Sequence, residues 1–190
     1  MTPMRHAAVA VTMLWLAGTA AAQTAAQLLP ARSEIVFTSR QMGVPVEGRF
    51  TRFDAQIAFD PKAPAAGSVQ LGIDTASATL GLAETDAELV KAAWFGSAKF
   101  PRAIFQSSAL KALGGGRFEI TGKLNLKGST HDLLVPVQIT QAAGVSTVIG
   151  NFTIKRLDFR IGEAEWADTS IVADDVQVRF KLSLTGIAPL

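Results

Sequence analysis

The fold is decided by the stretch from Gly122 to Val137, which reads Gly-Lys-Leu-Asn-Leu-Lys-Gly-Ser-Thr-His-Asp-Leu-Leu-Val-Pro-Val. Apolar and polar side chains alternate on both sides of its centre, as on strands with one dry face and one charged face. Between the two runs, Gly128 can adopt the positive φ of a tight turn. The stretch therefore predicts a β-hairpin, and a hairpin needs further strands to bury its apolar face. That face is formed by Leu124, Leu126, Leu133, Val135 and Val137.

The same period-two alternation recurs along the rest of the chain. It is clearest at 117–126, 147–155 and 175–184, where polar residues alternate with apolar residues or glycine, except at Ile149. Such patterning is typical of antiparallel strands. With about eight strands, short connections and a single helix, it favours an all-β fold, an eight-stranded antiparallel barrel that leaves no open edge. A two-sheet sandwich is the alternative architecture.

Two features interrupt the alternation early in the chain. Pro45 lies within residues 43–48, and because proline is excluded from central ladder positions, we expect a break between strands there. Phe50 has the opposite parity to Phe53. A bulge between these two phenylalanines would turn both rings toward the interior, and such kinks are common where a sheet curls into a barrel.

One helix is predicted, from about Asp86 to Phe95. Thr85 and Glu88 have the spacing of a capping box, in which two side chains satisfy free backbone donors at the start of a helix. Gly96 follows the last apolar position and can end the helix. The prediction is therefore a single short α-helix set against the barrel.

The first residues of the chain have the character of a leader. Residues 1–22 combine a positive charge at Arg5, an apolar run and an Ala-x-Ala site, which predicts a cleaved secretory signal peptide. The apolar run is shorter than the roughly 20 residues that a membrane span needs. Residues 23–32, rich in alanine and glutamine, are interpreted as a flexible lead-in, and residues 33–190 as one barrel domain.

The composition excludes several kinds of site. The chain has no cysteine, which removes disulfides and thiolate chemistry. His131 is the only histidine after the predicted leader, so we expect neither a His-rich metal site nor a cofactor. The formal charge of +2 includes no cluster of Lys and Arg, so we expect no nucleic-acid partner. His131 is interpreted as a turn or rim residue, with a proton shuttle as the alternative.

The predicted interior is rich in one kind of side chain. The chain has 11 phenylalanines and no tyrosine, so the dry faces of the strands carry hydrocarbon with few hydroxyl groups. A barrel of about eight strands can be packed solid or can hold one small ligand. The alternation itself leaves both possibilities open.

Five motifs, in order along the chain, resemble those of the YceI-like periplasmic proteins, a family of lipocalin-like barrels that bind isoprenoid lipids. The resemblance covers the chain from Ser33 to about Thr185. The motifs are Gly48-Arg49-Phe50 with Phe53, Asp86 and Leu89 followed by Trp94-Phe95, the run from Phe100 to Ser107, the run from Gly122 to Thr130, and Arg156-x-Asp158-Phe159.

The resemblance implies a hollow lipocalin-like barrel in the periplasm that carries an isoprenoid lipid, either a polyprenyl chain or a quinone, without catalysis. The affinity would come from the tail, because each buried methylene is worth about 0.8 kcal/mol. Asp86, Arg156 and Asp158 are the expected polar contacts, with an internal Arg156–Asp158 salt bridge as the alternative. The expected lining consists of Phe37, Phe53, Phe59, Leu71, Ile73, Leu89, Trp94, Phe95, Phe105, Phe118, Leu124, Phe152 and Phe180.

The chain departs from the family pattern at the expected mouth of the pocket. Many relatives carry histidine where this chain has Arg40-Gln41 and Glu88, and glycine where it has Arg160. The run from Gln41 to Gly48 resembles a branch found fused or adjacent to a cytochrome-b-type membrane protein. This implies a second hypothesis, a non-enzymatic interaction subunit with a packed barrel that docks on such an inner-membrane partner.

Two further expectations concern assembly and catalysis. A mouth wide enough for a long chain leaves part of the ligand exposed, which favours a homodimer that covers it. The third functional hypothesis is a cofactor-free enzyme that depends on His131.

Overall fold

The computed structural model of the chain describes residues 25–190. The predicted signal peptide, residues 1–22, lies outside this range. None of the helices in the described range is long and apolar enough to cross a membrane. The strands are β1 (Ala25–Leu28), β2 (Glu34–Gln41), β3 (Val44–Phe50), β4 (Phe53–Ala58), β5 (Ser68–Asp74), β6 (Ala78–Thr79), β7 (Arg102–Gly114), β8 (Arg117–Leu126), β9 (Ser129–Ala142), β10 (Val145–Lys155) and β11 (Asp175–Thr185). The α-helix is α1 (Ala83–Leu89), and short 3-10 helices span Pro30–Arg32, Pro64–Ala66, Thr75–Ser77, Leu157–Phe159 and Ala164–Trp166.

The strands form one closed antiparallel barrel. The ring runs β1, β4, β5, β7, β8, β9, β10 and β11, and β11 pairs with β1 again. Strands β2 and β3 extend the same sheet, since β2 pairs with β11 beyond β1, and β3 pairs with β2. The predicted all-β fold, an eight-stranded lipocalin-like barrel with one short α-helix, is therefore confirmed. The closed ring excludes the two-sheet sandwich.

The barrel is closed by a segment that the sequence does not mark as a strand. Ala25 and Ala26 of β1 pair with β4, and Gln27 and Leu28 pair with β11. The interpretation of residues 23–32 as a flexible lead-in is wrong at this point. Four residues are too few for an alternating pattern to be recognised among alanine and glutamine.

The hairpin of β8 and β9 confirms the central prediction. Ten residue pairs join the two strands, from Arg117 opposite Gln138 to Leu126 opposite Ser129. The turn consists of two residues, Lys127 and Gly128, both with positive φ, of 50° and 77°. This is the backbone of a tight hairpin turn whose twist matches that of the strands.

The first hairpin differs from the prediction. Pro45 lies inside β3 and pairs with Arg40 of β2, so the expected break between strands at 43–48 is wrong. The other edge of β3 pairs only at Arg49 and Phe50, with the short β6. Pro45 is therefore on a free edge, where a missing N–H group costs no ladder hydrogen bond.

The predicted kink after β3 is confirmed. Two residues, Thr51 and Arg52, separate β3 from β4, and both phenylalanines that flank them pack against the core. The ring of Phe50 lies 5.3 Å from that of Phe37 and 5.6 Å from that of Phe95. The kink thus brings the opposite parity of Phe50 back to the interior.

Helix α1 begins three residues earlier and ends six residues earlier than predicted, at Ala83 and Leu89. The N-cap residue is Leu82, which makes no side-chain cap, so the predicted capping box of Thr85 and Glu88 does not form. The reason is local, because the carboxylate of Asp86 already binds the segment before the helix. Residues 90–96 continue as a series of turns.

Candidate functional site

The interior of the barrel contains two chambers. The first, the helix-side chamber, has a volume of about 250 Å³ and lies between α1, β2 and the segment that contains the last 3-10 helix. Its polar lining residues are Ser39, Gln41, Thr85, Glu88 and Arg156. Its apolar lining residues are Ile35, Phe37, Phe50, Ile73, Leu80, Leu89, Trp94, Phe95, Ala103, Leu124, Leu126, Phe152, Ile154, Ile161, Trp166, Val172, Val176 and Val178.

The second chamber, the distal chamber, has a volume of about 110 Å³ and is lined by apolar residues alone. It lies toward the end of the barrel where β1 meets β11 and β9 meets β10. Its lining residues are Ile35, Ala55, Ile57, Phe59, Val69, Leu71, Ile73, Ala103, Phe105, Leu110, Phe118, Ile120, Leu124, Leu133, Val135, Val137, Ile139, Val148, Phe152, Val178, Phe180, Leu182, Leu184 and Ile187.

Six residues line both chambers and form a waist between them. They come from six strands, β2, β5, β7, β8, β10 and β11, which lie on opposite sides of the barrel, so the waist surrounds the interior. Its members are Ile35, Ile73, Ala103, Leu124, Phe152 and Val178. An occupant that filled both chambers would therefore be an elongated molecule that is narrow at its middle.

Most of the residues predicted to line a pocket face one of the chambers. The helix-side chamber contains Phe37, Ile73, Leu89, Trp94, Phe95, Leu124, Phe152 and Arg156. The distal chamber contains Phe59, Leu71, Phe105, Phe118 and Phe180, besides the shared Ile73, Leu124 and Phe152. Three predicted residues, Phe53, Asp86 and Asp158, line neither chamber.

Arg156 is fully buried, with 2% of its surface exposed, and its guanidinium is saturated. An arginine side chain has five N–H donors, and here five backbone carbonyls accept them. Nε donates to Ala173 O at 3.1 Å, and the terminal nitrogens donate at 2.7–2.8 Å to the carbonyls of Ile161, Gly162, Trp166 and Val172. Arg156 therefore ties residues 161–173 to the end of β10 and has no donor left for a ligand.

The expected Arg156–Asp158 salt bridge is wrong. Among the described residues, Arg156 forms no ion pair, and Asp158 is exposed. Burial lowers the pKa of the Arg156 guanidinium, and the charge of Asp174 opposes this. Carbonyl dipoles, rather than one carboxylate, compensate the buried charge.

Asp86 holds the entry to α1. Its carboxylate accepts hydrogen bonds of 2.6 Å from the hydroxyl of Thr79 and from the backbone N–H of Leu80. These two bonds lower the pKa of Asp86. The side chain therefore fixes the segment between β6 and α1 and lines neither chamber, which corrects the prediction of a polar ligand contact.

Asp158 and His131 lie together outside the barrel. The ring nitrogen Nε2 of His131 is 3.0 Å from the carbonyl oxygen of Asp158, and the ring packs edge-on against Phe159 at 4.8 Å. His131 is exposed and lines neither chamber. Within residues 25–190, no three His, Asp or Glu side chains lie close enough together to hold a metal ion.

Lys127 is a second buried cation at the helix-side end. It is 4% exposed, although the alternation of β8 predicts a place on the charged face. Its ammonium donates to the carbonyls of Ala93 and Arg160 and forms an ion pair of 3.2 Å with Glu163. The positive φ of the turn directs this side chain inward, and the result is a link between the hairpin and the two segments that cover the chamber.

The sequence prediction named Arg156 but missed the other four polar residues of the helix-side chamber. Ser39 and Gln41 share the parity of Phe37 on β2, so strand alternation could have identified them. Thr85 and Glu88 lie on α1, whose position relative to the barrel the sequence does not reveal. Trp166 belongs to an irregular segment and reaches the chamber by packing on Trp94 at 5.5 Å.

Comparisons with known proteins agree with this geometry. A crystal structure of BcnA from Burkholderia cenocepacia superposes with a TM-score of 0.80 at 42% identity and covers 83% of this chain and 99% of that one. A polyisoprenoid-binding domain from Saccharophagus degradans, implicated in plant cell wall breakdown, superposes with a TM-score of 0.70. It is 21% identical and covers 87% of this chain and 99% of its own, which shows the shared fold.

Two further proteins are similar to this chain in sequence. A UPF0312 protein of Vibrio cholerae is 28% identical over 160 residues, which cover 77% of this chain and 83% of the relative. The protein YceI of Escherichia coli O157:H7 is 37% identical over 92 residues, about half of each chain. The family model described as the YceI-like domain matches residues 27–184. Because this match covers most of the chain, the protein belongs to the YceI-like family.

Proposed function

We propose that this protein is a periplasmic carrier that holds an isoprenoid lipid, with the tail threaded through the waist from the helix-side chamber into the distal chamber. The observation that supports this most directly is the pair of connected linings, one with polar groups and one without. An isoprenoid lipid has the same division, since a polar head group is joined to a long hydrocarbon tail.

The energetics agree with a tail-driven association. Each methylene transferred from water into an apolar chamber contributes about 0.8 kcal/mol. Ordering a flexible chain opposes this gain, so the net affinity is well below the sum over the tail. The polyisoprenoid-binding domain of S. degradans has the same fold, and this likeness supports the choice of ligand class.

The two chambers favour the carrier over an interaction subunit with a packed barrel. A packed barrel would fill the interior with the side chains of its own dry faces. Here the dry faces leave about 250 Å³ and 110 Å³ on the two sides of the waist. The predicted leader at residues 1–22 supports an exported location, and no described residue calls for catalysis in this role.

The test is organic extraction of the purified mature protein, followed by mass spectrometry of the extract. We expect one isoprenoid lipid per protein molecule, and an unrelated exported protein purified in parallel serves as the control. If the extract contains no lipid, the protein is reloaded with prenols and prenylated quinones and extracted again. A clean second extract would contradict the carrier.

A further inference from the structure

All polar side chains that line the interior belong to the helix-side chamber. The distal chamber has none, so a polar head group finds hydrogen-bonding partners only on the side of the waist where α1 lies. The chemistry of that chamber then decides which head groups the protein accepts.

The one cation among the described lining residues is unavailable. Arg156 donates all five of its N–H groups to backbone carbonyls at 2.7–3.1 Å. A phosphate or diphosphate group in the helix-side chamber would find no free guanidinium, and pulling Arg156 toward it would leave several buried carbonyls without donors. Recognition of phosphate ordinarily depends on such charged donors.

The lining contains one carboxylate, Glu88. It forms an ion pair with Lys91, one turn further along the chain, and both side chains are about half exposed. The two charges compensate each other, so the pair leaves no unpaired cation at the lining. A phosphate that drew Lys91 toward itself would have to displace the carboxylate of Glu88 from this pair.

Besides the indole N–H groups of Trp94 and Trp166, the lining offers three neutral polar side chains, those of Ser39, Gln41 and Thr85. All three residues are partly buried, and none of their side chains forms a hydrogen bond with any described residue. Two hydroxyl groups and one amide offer both donors and acceptors to a ligand. This set matches a carbonyl or a hydroxyl group and lacks the charge that a phosphate requires.

We infer that the helix-side chamber selects an isoprenoid lipid with an uncharged, hydrogen-bonding head group, such as the ring of a quinone or the hydroxyl group of a prenol, and rejects phosphorylated head groups. This inference rests on the proposed function. Ser39, Gln41 and Thr85 bind the head group, and Glu88 keeps the charge of Lys91 paired, so that an anion finds no free cation at the lining.

The test compares three lipids of equal tail length, a prenol, a prenylated benzoquinone and a prenyl diphosphate, by native mass spectrometry of the delipidated protein. We expect the prenol and the quinone to bind, and the diphosphate to bind at least about tenfold more weakly, because its charge would enter the chamber without a free cationic partner. A diphosphate that binds as tightly as the quinone would overturn the inference and leave the proposed function standing. If none of the three binds, the proposed function falls with it.

Two variants on α1 test whether position 88 determines the preference for uncharged head groups. Glu88→Lys should reduce the disadvantage of the diphosphate by about tenfold, because it places a free cation at the lining and releases Lys91 from its ion pair. Glu84→Lys makes the same change of charge on α1 at an exposed residue that lines neither chamber, and should leave the ranking unchanged. Equal responses of the two variants would show a general charge effect and would overturn the role of Glu88.

A third variant tests the neutral contacts. Thr85→Val removes a hydroxyl group and keeps the shape of the side chain, so the affinities for the quinone and the prenol should fall severalfold. An unbranched alkane of similar length, which has no head group, should bind the variant and the parent protein equally. Unchanged binding of both polar lipids would show that the head group does not lie at Thr85.

Discussion

The two ends of the barrel are closed by different means. At the helix-side chamber, Arg156 and Lys127 are buried cations whose donors bind backbone carbonyls of the covering segments. At the distal chamber, apolar side chains close the end, as where the rings of Phe59 and Phe118 meet edge to face at 5.2 Å. Hydrogen bonds of buried cations thus close the helix-side end of the barrel, and packing of apolar side chains closes the distal end.

The difference follows from the backbone at each end. Strands form the walls of the distal chamber, and their ladders already pair the backbone N–H and C=O groups. Residues 157–174, which cover the helix-side chamber, form no strand ladder with one another, so many of their carbonyls need other donors. A long cation with several N–H groups supplies these donors at one point. Irregular backbone over a cavity therefore needs side-chain hydrogen-bond donors that a regular sheet does not need.

The largest effect is expected from removing the hydrogen bonds of Arg156. Arg156→Leu leaves five carbonyls without donors, and we expect the free energy of unfolding to fall by about 3–5 kcal/mol, as for other losses of a buried polar network. Urea denaturation measures this. The matched control is Arg179→Leu, which removes an exposed arginine paired with Glu47 at 2.6 Å and should cost no more than about 1 kcal/mol.

Equal losses for the two arginine variants would show that the covering segments satisfy their carbonyls with water. The hydrogen bonds of Arg156 would then not be needed to stabilise the helix-side end, and the two chambers would differ only in the residues that line them.

The second prediction concerns a substitution that should close the passage between the two chambers. Ala103 is 4% exposed and is the smallest member of the waist. Ala103→Phe should block the waist, so a prenylated quinone with a long tail should bind at least about tenfold more weakly, since two methylenes kept out of the distal chamber already amount to about 1.6 kcal/mol. A quinone with a tail too short to pass the waist should lose little. Ligand titration with the two lipids measures the difference.

Overpacking at the waist can also lower the stability of the barrel, by about 1–3 kcal/mol. The control is Ala109→Phe, an exposed position on the same strand, β7, which should bind both lipids as the parent protein does. If Ala103→Phe weakened the long and the short lipid equally, the ligand would not pass through the waist.

Much of this architecture is predictable from the chain because it depends on alternation. The parity of Phe118, Ile120, Leu124 and Leu126 along β8 correctly predicts which side chains face inward. The same rule extends to Ser39 and Gln41, which were missed although they share the parity of their apolar neighbours. Where a strand is as short as β1, too few residues exist for the rule to apply.

The remaining features depend on contacts between distant segments. Lys127 continues the charged face of β8 in the sequence pattern, yet its side chain is buried. Lys127 itself has a positive φ, and its ammonium binds the distant carbonyls of Ala93 and Arg160. Asp86 was assigned to the ligand from a family resemblance, whereas its carboxylate binds Thr79 and Leu80 nearby. Alternation carries no information on such pairings, so the walls of the barrel were predictable and its covering segments were not.

The smallest predicted effect is a pH dependence confined to the helix-side end. Hydrogen bonds from Thr79 and Leu80 lower the pKa of Asp86, so the folded state favours the ionised carboxylate. A carboxylate with a lowered pKa contributes stability above its ordinary pKa of about 4, and this contribution is lost as the pH falls through the lower folded value. The segment between β6 and α1 should therefore loosen under acid, and the amide of Leu80 should lose protection from hydrogen exchange.

Two variants make this prediction specific. Asp86→Asn keeps an acceptor oxygen without the charge, so the protection of Leu80 at neutral pH should fall toward that of the acidified parent protein. The pKa of Asp132 is lowered too, by Lys123 on the β8–β9 hairpin. Asp132→Asn should nevertheless leave the protection of Leu80 unchanged, because this carboxylate binds Lys123 and makes no hydrogen bond to the segment between β6 and α1. If the protection of Leu80 in the parent protein, corrected for intrinsic exchange, stayed constant from neutral pH to about pH 3, the Asp86 tie would be too weak to position α1 over the chamber.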